Sequence, residues 1–361
     1  MISLAFIIAF LSVWLLHPKI VEVAKLKGIT DNPNIRKLQR EPVPVLGGIV
    51  VFFGILMGLG LTTFFISYKD FLLYIALMFL LLSTGTLDDV TSLSPRIRFL
   101  IEIGATIILI FLGNISVNDF HGLWGVNFVG LGISLPLTIV TVVGIINAIN
   151  LIDGVDGLSS GFCILASAIF AWYFYMIGDI AMMALALSSI GALIPFFYYN
   201  VFGKKSKMFI GDGGTLLMGM ILSIFIMKIL TYSPESNIME TAGISPINGR
   251  ETHFGLVPFT IAILSFPICD TLRVMFARML KRQSPFMPDK THLHHALIGL
   301  GFSHLKTTIS ILTLNIIILA LWNILYITGC SIDCQFYAVI GTTIALNVGI
   351  YYSCRKSSQI F

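Results

Sequence analysis

Residues 133–157 read ISLPLTIVTVVGIINAINLIDGVDG. No charged side chain interrupts this stretch until Asp153 and Asp156 arrive together. A run of roughly 17–25 mostly apolar residues is long enough for a helix to cross a bilayer. Acids at the end of such a run stand where charge is expensive and usually functional. The whole chain has the same character, at 57% hydrophobic and 11% charged over 361 residues. A soluble protein carries about 25% charged residues. The chain therefore reads as an all-α, polytopic integral membrane helix bundle forming one domain over 1–361.

Eleven spans are expected, near 1–16, 43–66, 71–87, 98–115, 133–149, 158–177, 181–200, 213–230, 254–279, 307–328 and 336–353. The first is short, with room to extend past Pro18 into Ile20–Val23. It lacks a basic start and a small-residue cleavage site, so it reads as a span and not as a cleaved signal. No internal repeat is visible, which argues against an inverted-repeat transporter. The net charge of +4 is scattered over short loops, which argues against a nucleic-acid partner.

Basic residues set orientation in membrane proteins. One set of loops, with the adjoining helix ends, holds 19 of the 22 Lys and Arg. Among them are Lys25, Arg36, Lys37, Arg40, Arg98, Lys205, Arg278, Arg282 and Lys290. The other side holds Lys69, Lys228 and Arg250. The N-terminus is thus expected outside and the C-terminus in the cytoplasm. Cys330 and Cys334 fall on the outer, oxidising side, where they could bridge or stay free.

The polar clusters all fall on the cytoplasmic side. After the loop Asp31–Lys37, Gly47-Gly48 lets backbone approach a ligand or another helix closely. Asp88-Asp89 is a paired acid that could hold Mg²⁺ or take a proton, or simply cap a helix end. Asn147, Asn150 and Asp153 share i, i+3, i+6 spacing and so lie near one helical face, with Asp156 beyond. The stretch Phe209-Ile-Gly-Asp212-Gly-Gly-Thr215 is a glycine-rich turn at a helix start, able to offer backbone N–H groups to phosphate. In the largest basic loop, Asp289-Lys290-Thr-His292-Leu-His294-His295 suggests metal ligation or phosphate hydrogen bonding. Zinc is disfavoured, since no Cys or His-Glu-x-x-His partner accompanies it. His304 stands alone past Gly299-Leu-Gly301 and reads as a solvated loop residue. Glu102 reads as half of a helix-packing ion pair.

Taken together, Asp88-Asp89, Asn147–Gly157, Phe209–Thr215 and Pro267–Asp270 leading to Ser284–His295 resemble the polyprenyl-phosphate N-acetylhexosamine-1-phosphate transferase family. The resemblance runs from about Asp31 to His304, with motifs in family order. The His-x-His-His ending is similar to that of the bacterial subgroup using UDP-N-acetylglucosamine; another UDP-N-acetylhexosamine is the alternative. The departures are Gly213-Gly214-Thr215, where Gly-Asp-x-Gly-Ser is frequent, and Leu293, where isoleucine is common. The resemblance implies a multi-pass enzyme of the bacterial inner membrane that joins a sugar 1-phosphate to undecaprenyl phosphate and releases UMP. The product would start a surface glycan such as lipopolysaccharide O-antigen or a cell-wall polysaccharide. By resemblance, Asp212 binds Mg²⁺, with Mn²⁺ able to substitute, and Asn150 shares the ion. Asp88 deprotonates or orients the lipid phosphate, with Asp89 at the same centre. Asp153 and Asp156 shape the nucleotide-sugar site. Arg278 and His292 contact the pyrophosphate or sugar; Asn147, His294 and His295 line the substrate site. A homodimer is compatible with the resemblance. A lipid-phosphate transporter is the competing class, but its sites usually lie at the midplane and not on one face.

Overall fold

A helix stands at each of the eleven apolar runs in a computed structural model that describes residues 2–31, 41–62, 71–231, 253–284 and 291–358. Arg36, Lys37, Arg40, Lys69, Arg250, Asp289 and Lys290 lie outside the described residues. The helices are α1 (Ile2–Lys27), α2 (Gly47–Thr62), α3 (Phe71–Thr91), α4 (Pro95–Gly113), α5 (Leu131–Leu151), α6 (Leu158–Met176), α7 (Ile180–Phe202), α8 (Gly211–Leu230), α9 (Leu256–Ile263), α10 (Ser265–Leu280), α11 (Leu293–Gly299), α12 (His304–Ile327) and α13 (Ile332–Ser358). Strands β1 (Thr30–Asp31) and β2 (Val43–Pro44) form a two-stranded antiparallel ribbon.

Among the described residues, eight helices are long and apolar enough to cross a membrane, or nine with the bent α9–α10 pair. Eleven full crossings are therefore not established. α2 has only 16 described residues, and α4 carries Arg96, Arg98 and Glu102. The first span, short on sequence grounds, continues through Pro18 to Lys27.

The ninth run breaks by 73° between Ile263 and Ser265. Asn315 of α12 fills the break. Its Oδ1 accepts from Ser265 Oγ (2.9 Å) and Phe266 N (3.2 Å), while its Nδ2 donates to Ile263 O (3.1 Å). Irregular backbone at membrane depth survives only where such partners re-satisfy it. The apolar run through 254–279 gave no sign of this break.

The chain packs as two compact units. The first comprises Met1–Ile115, Thr138–Asn150 and Ser159–Phe225. Its α1 buries Ala5, Ala9, Val13, His17, Val21 and Ala24, a stripe of mostly small side chains at helical spacing. Leu4, Ile7, Leu11 and Leu15 of the same helix are exposed. Buried small residues and outward large ones suit a lipid surround, where close backbone packing drives helix association. Gly54, Gly58 and Gly191 leave no room for a Cβ where α1, α2 and α7 meet.

The second unit comprises Ser116–Leu137, Leu151–Leu158 and Ile226–Phe361. Phe254, Phe259, Trp322 and Tyr326 form one aromatic cluster in it, with ring centroids 4.7–5.8 Å apart. The segment before α5 is pinned to α13, where Trp124 donates from its backbone N to Asp333 (2.7 Å) and from Nε1 to Tyr337 Oη (3.0 Å). Cys330 and Cys334 are unbridged thiols.

Candidate active site

The first unit gathers its acids around α8. That helix starts at Gly211, whose φ of +71° is the left-handed conformation glycine adopts without strain. The two glycines at the start of α2 meet another helix here. Gly48 lies against the backbone of Gly213 and Gly214, leaving no space for a Cβ. Gly47 N donates to Phe209 O (3.1 Å) and Gly48 N to Ile210 O (2.8 Å). On the α3 side, Gly85 meets the backbone of Asp212 and Gly213 just as closely.

This close approach brings Asp89, at the end of α3, onto the start of α8. Its Oδ1 accepts from Asp212 N (3.0 Å) and its Oδ2 from Gly213 N (3.3 Å). The glycine-rich turn was expected to offer its N–H groups to a phosphate. Two of them are instead taken by this carboxylate, which caps the helix and faces the positive end of its dipole.

Asp88 and Asp212 are disposed differently. Asp88 Oδ1 accepts from Leu93 N (2.8 Å), and its Oδ2 pairs with Arg98 (3.1 Å). Arg98 also reaches Asp212 Oδ2 (3.5 Å), Glu102 Oε1 (3.6 Å) and Asn147 Oδ1 (3.4 Å). Asn147 in turn donates to Glu102 Oε2 (2.5 Å). Asn150 donates to Asp212 Oδ1 and Thr215 Oγ1, both at 2.8 Å. Asp212 is the most open of these carboxylates, its side chain 38% exposed against 15% for Asp88 and none for Glu102. The Arg98–Glu102 ion pair matches the expectation for Glu102. Arg98 itself was counted only as an inner-face charge. Its signal was an i, i+4 Arg–Glu pair inside a helix whose one other charged residue is Arg96.

Among the described residues, the carboxylates of Asp88, Asp212 and Glu102 surround the one guanidinium of Arg98. The donors are oxygens, the set that hard cations take. Mg²⁺ commonly uses one or two carboxylates and keeps waters and substrate phosphates for its remaining positions. Asp212 and Asp88 fit that pattern. Among the described residues, no three His, Cys, Asp or Glu side chains converge as a metal cage. Asn150, expected to share the ion, turns its N–H group toward Asp212 and orients it.

The second unit carries the remaining expected residues. α5 ends at Leu151, so Asp153 lies in the turn beyond it and does not continue the helical face of Asn147 and Asn150. Asp153 is exposed, and Gly157 closes the turn at φ +78°. His292 precedes α11, and its Nδ1 lies 2.8 Å from Asp270 Oδ2. Asp270 is fully buried; it also pairs with Arg273 (2.7 Å) and accepts from Leu293 N (3.2 Å). No sequence signal pointed to its hold on His292. Among the described residues, His292 Nε2 is buried with no hydrogen-bond partner.

His294 is buried, with its ring against Gly154. Burial, reinforced by His295 and His292, pushes its pKa down to about 3, so the ring is neutral at pH 7. His295 sits beside it, ring centroids 4.3 Å apart. Arg278, in the last turn of α10, is buried. His304 corrects an expectation. It is the first residue of α12, 2.8 Å from Asp156 Oδ2, and not a solvated loop residue.

Residues 71–230 match the model of Glycosyl transferase family 4. The chain is 31% identical over 317 residues to the probable undecaprenyl-phosphate N-acetylglucosaminyl 1-phosphate transferase of Bacillus subtilis, covering 88% of this chain and 82% of the relative. It is 32% identical over 311 residues to the undecaprenyl-phosphate alpha-N-acetylglucosaminyl 1-phosphate transferase of Haemophilus influenzae, covering 84% and 79%. The Escherichia coli O157:H7 protein of that name is 29% identical over 285 residues, covering 78% and 72%.

Proposed function

Because the chain belongs to the undecaprenyl-phosphate N-acetylglucosaminyl 1-phosphate transferases of glycosyl transferase family 4, we propose that it transfers N-acetylglucosamine 1-phosphate from UDP-N-acetylglucosamine to undecaprenyl phosphate. An oxygen of the lipid phosphate attacks the β-phosphorus, the bond to the UMP oxygen breaks, and UMP leaves with that electron pair. The observation that carries this reading is the Asp88–Arg98–Asp212–Asn150 cluster at the ends of apolar helices. A water-borne nucleotide and a membrane-bound lipid can both reach such a boundary.

Phosphoryl transfer asks mainly for positioning and charge neutralisation. Asp212, with Asp88, would hold Mg²⁺, which neutralises pyrophosphate charge when bound. Asn150 keeps Asp212 turned outward. Asp88, held by Leu93 N and Arg98, orients the lipid phosphate, and Arg98 keeps the two carboxylates from repelling each other. Asp153 and Asp156 serve the nucleotide-sugar. His292, fixed through Nδ1 by Asp270, presents Nε2 to a phosphate oxygen. The excess of Lys and Arg in the loops bearing these residues supports a cytoplasmic site in the inner membrane, with the N-terminus outside and the C-terminus inside. The product starts a lipid-linked surface glycan, of the O-antigen or cell-wall polysaccharide kind.

The test uses purified full-length protein in nanodiscs with UDP-N-acetylglucosamine, undecaprenyl phosphate and Mg²⁺. Equimolar UMP and lipid-linked sugar are expected. UMP formed only with UDP-N-acetylgalactosamine would replace the donor, and no UMP with any UDP-sugar would refute the reading.

A further inference from the structure

We propose that His304 is a positioning residue for nucleotide-sugar binding, acting through Asp156. Its Nδ1 lies 2.8 Å from Asp156 Oδ2 and 3.2 Å from Asp156 N. When Nδ1 carries a proton it donates to the carboxylate; when it does not, it accepts from the backbone N–H. One turn along α12, Thr308 Oγ1 donates to Asp156 O (3.1 Å). Ser303 caps this helix by accepting from Lys306 N (3.2 Å), which fixes where His304 sits.

The turn bearing Asp156 is gripped at a second point. A Cβ at Gly154 would collide with the His294 ring. The short segment between α5 and α6 thus takes its shape from residues more than 130 positions later in the chain. An exposed turn with a left-handed glycine would otherwise sample several conformations. Holding a carboxylate in its binding orientation removes the ordering cost from ligand affinity.

The inference rests on Asp156 serving the nucleotide-sugar, so the experiment tests that too. His304→Ala, His304→Asn, Asp156→Asn and the His304→Ala/Asp156→Asn double variant are assayed as full-length protein in nanodiscs. His304→Ala should raise KM for the UDP-sugar roughly tenfold, the low end for one hydrogen bond to a charged group. Its kcat, its KM for undecaprenyl phosphate and its melting temperature should stay near the unaltered values. Asparagine places an amide group where Nδ1 stood, so His304→Asn should return KM to within about threefold of the unaltered protein, keeping much of that single bond. The double variant should be little worse than Asp156→Asn alone. A raised KM in Asp156→Asn with an unchanged one in His304→Ala overturns this inference and leaves the function standing. An unchanged KM in Asp156→Asn overturns the assignment of Asp156 itself, and the inference with it. A fall in kcat, a rise in both KM values and a lower melting temperature in His304→Ala, with no rescue by Asn, would make the contact merely structural.

Discussion

Asp88 and Asp89 are neighbours in sequence, and the structure gives them different partners. Replacing Asp89 by Ala strips the acceptors from Asp212 N and Gly213 N at the start of α8. A lost helix cap costs about 0.5–2 kcal/mol. A buried N–H left unsatisfied costs about 1–3 kcal/mol. Two such groups beside a lost cap place the effect near 2–4 kcal/mol, so Asp89→Ala should melt several degrees lower. Asp89→Asn keeps one acceptor oxygen and should lose about half as much. Asp88→Asn keeps the bond from Leu93 N and loses a partly exposed ion pair with Arg98. That pair is worth about 1 kcal/mol or less, so its melting temperature should barely move. Its turnover should nonetheless fall roughly 10²–10³-fold, the range for removing one preorganised electrostatic group. The assay is thermal unfolding in detergent beside UMP release from the folded fraction. If Asp89→Asn abolished turnover at an unchanged melting temperature, or if Asp88→Asn unfolded the protein, the division of labour would be wrong.

Asp212→Asn should abolish turnover and its Mg²⁺ dependence while the protein stays folded; near-normal product at ordinary Mg²⁺ would remove Asp212 from the metal role. Gly48→Ala should destabilise by about 1–3 kcal/mol or fail to fold, because the added methyl meets the backbone of Gly214; an unchanged melting curve would mean α2 and α8 are not in contact. His292→Ala should lower kcat roughly 10²–10³-fold more than it raises KM for the UDP-sugar, whereas loss of activity to a zinc-selective chelator in excess Mg²⁺ would point to the wrong metal. His294 is held neutral with a pKa near 3 against 6.5 unfolded. The unfolded chain therefore takes up the proton first, and stability falls as pH drops from 6.5 towards 3, by about 1.4 kcal/mol per unit at most. Melting temperatures between pH 7.5 and 5 should show a shallower slope in His294→Gln, and an identical slope would refute the assignment.

The sequence by itself determined that this is a helical membrane protein, where most of its helices run, and which polar segments interrupt them. Those are local facts. A span is a contiguous apolar run, and a charge at its end is visible without knowing what it touches. The same local reading picked out Asp88, Asn147, Asn150 and Asp212 one cluster at a time, because each stands near the end of such a run; only the family resemblance grouped them. It could not separate Asp88 from Asp89. The difference is the backbone of α8, 123 residues away, brought near by Gly85 and by a left-handed Gly211. Nor could it see the 73° break between α9 and α10, since the apolar pattern continues through it and the groups that satisfy it belong to Asn315. His304 looked solvated for the same reason. Its partner, Asp156, lies 148 residues earlier. Hydropathy reports what a residue prefers as a surrounding, whereas a hydrogen bond or ion pair depends on two residues meeting within about 3 Å. Only the packed helices decide which two residues those are.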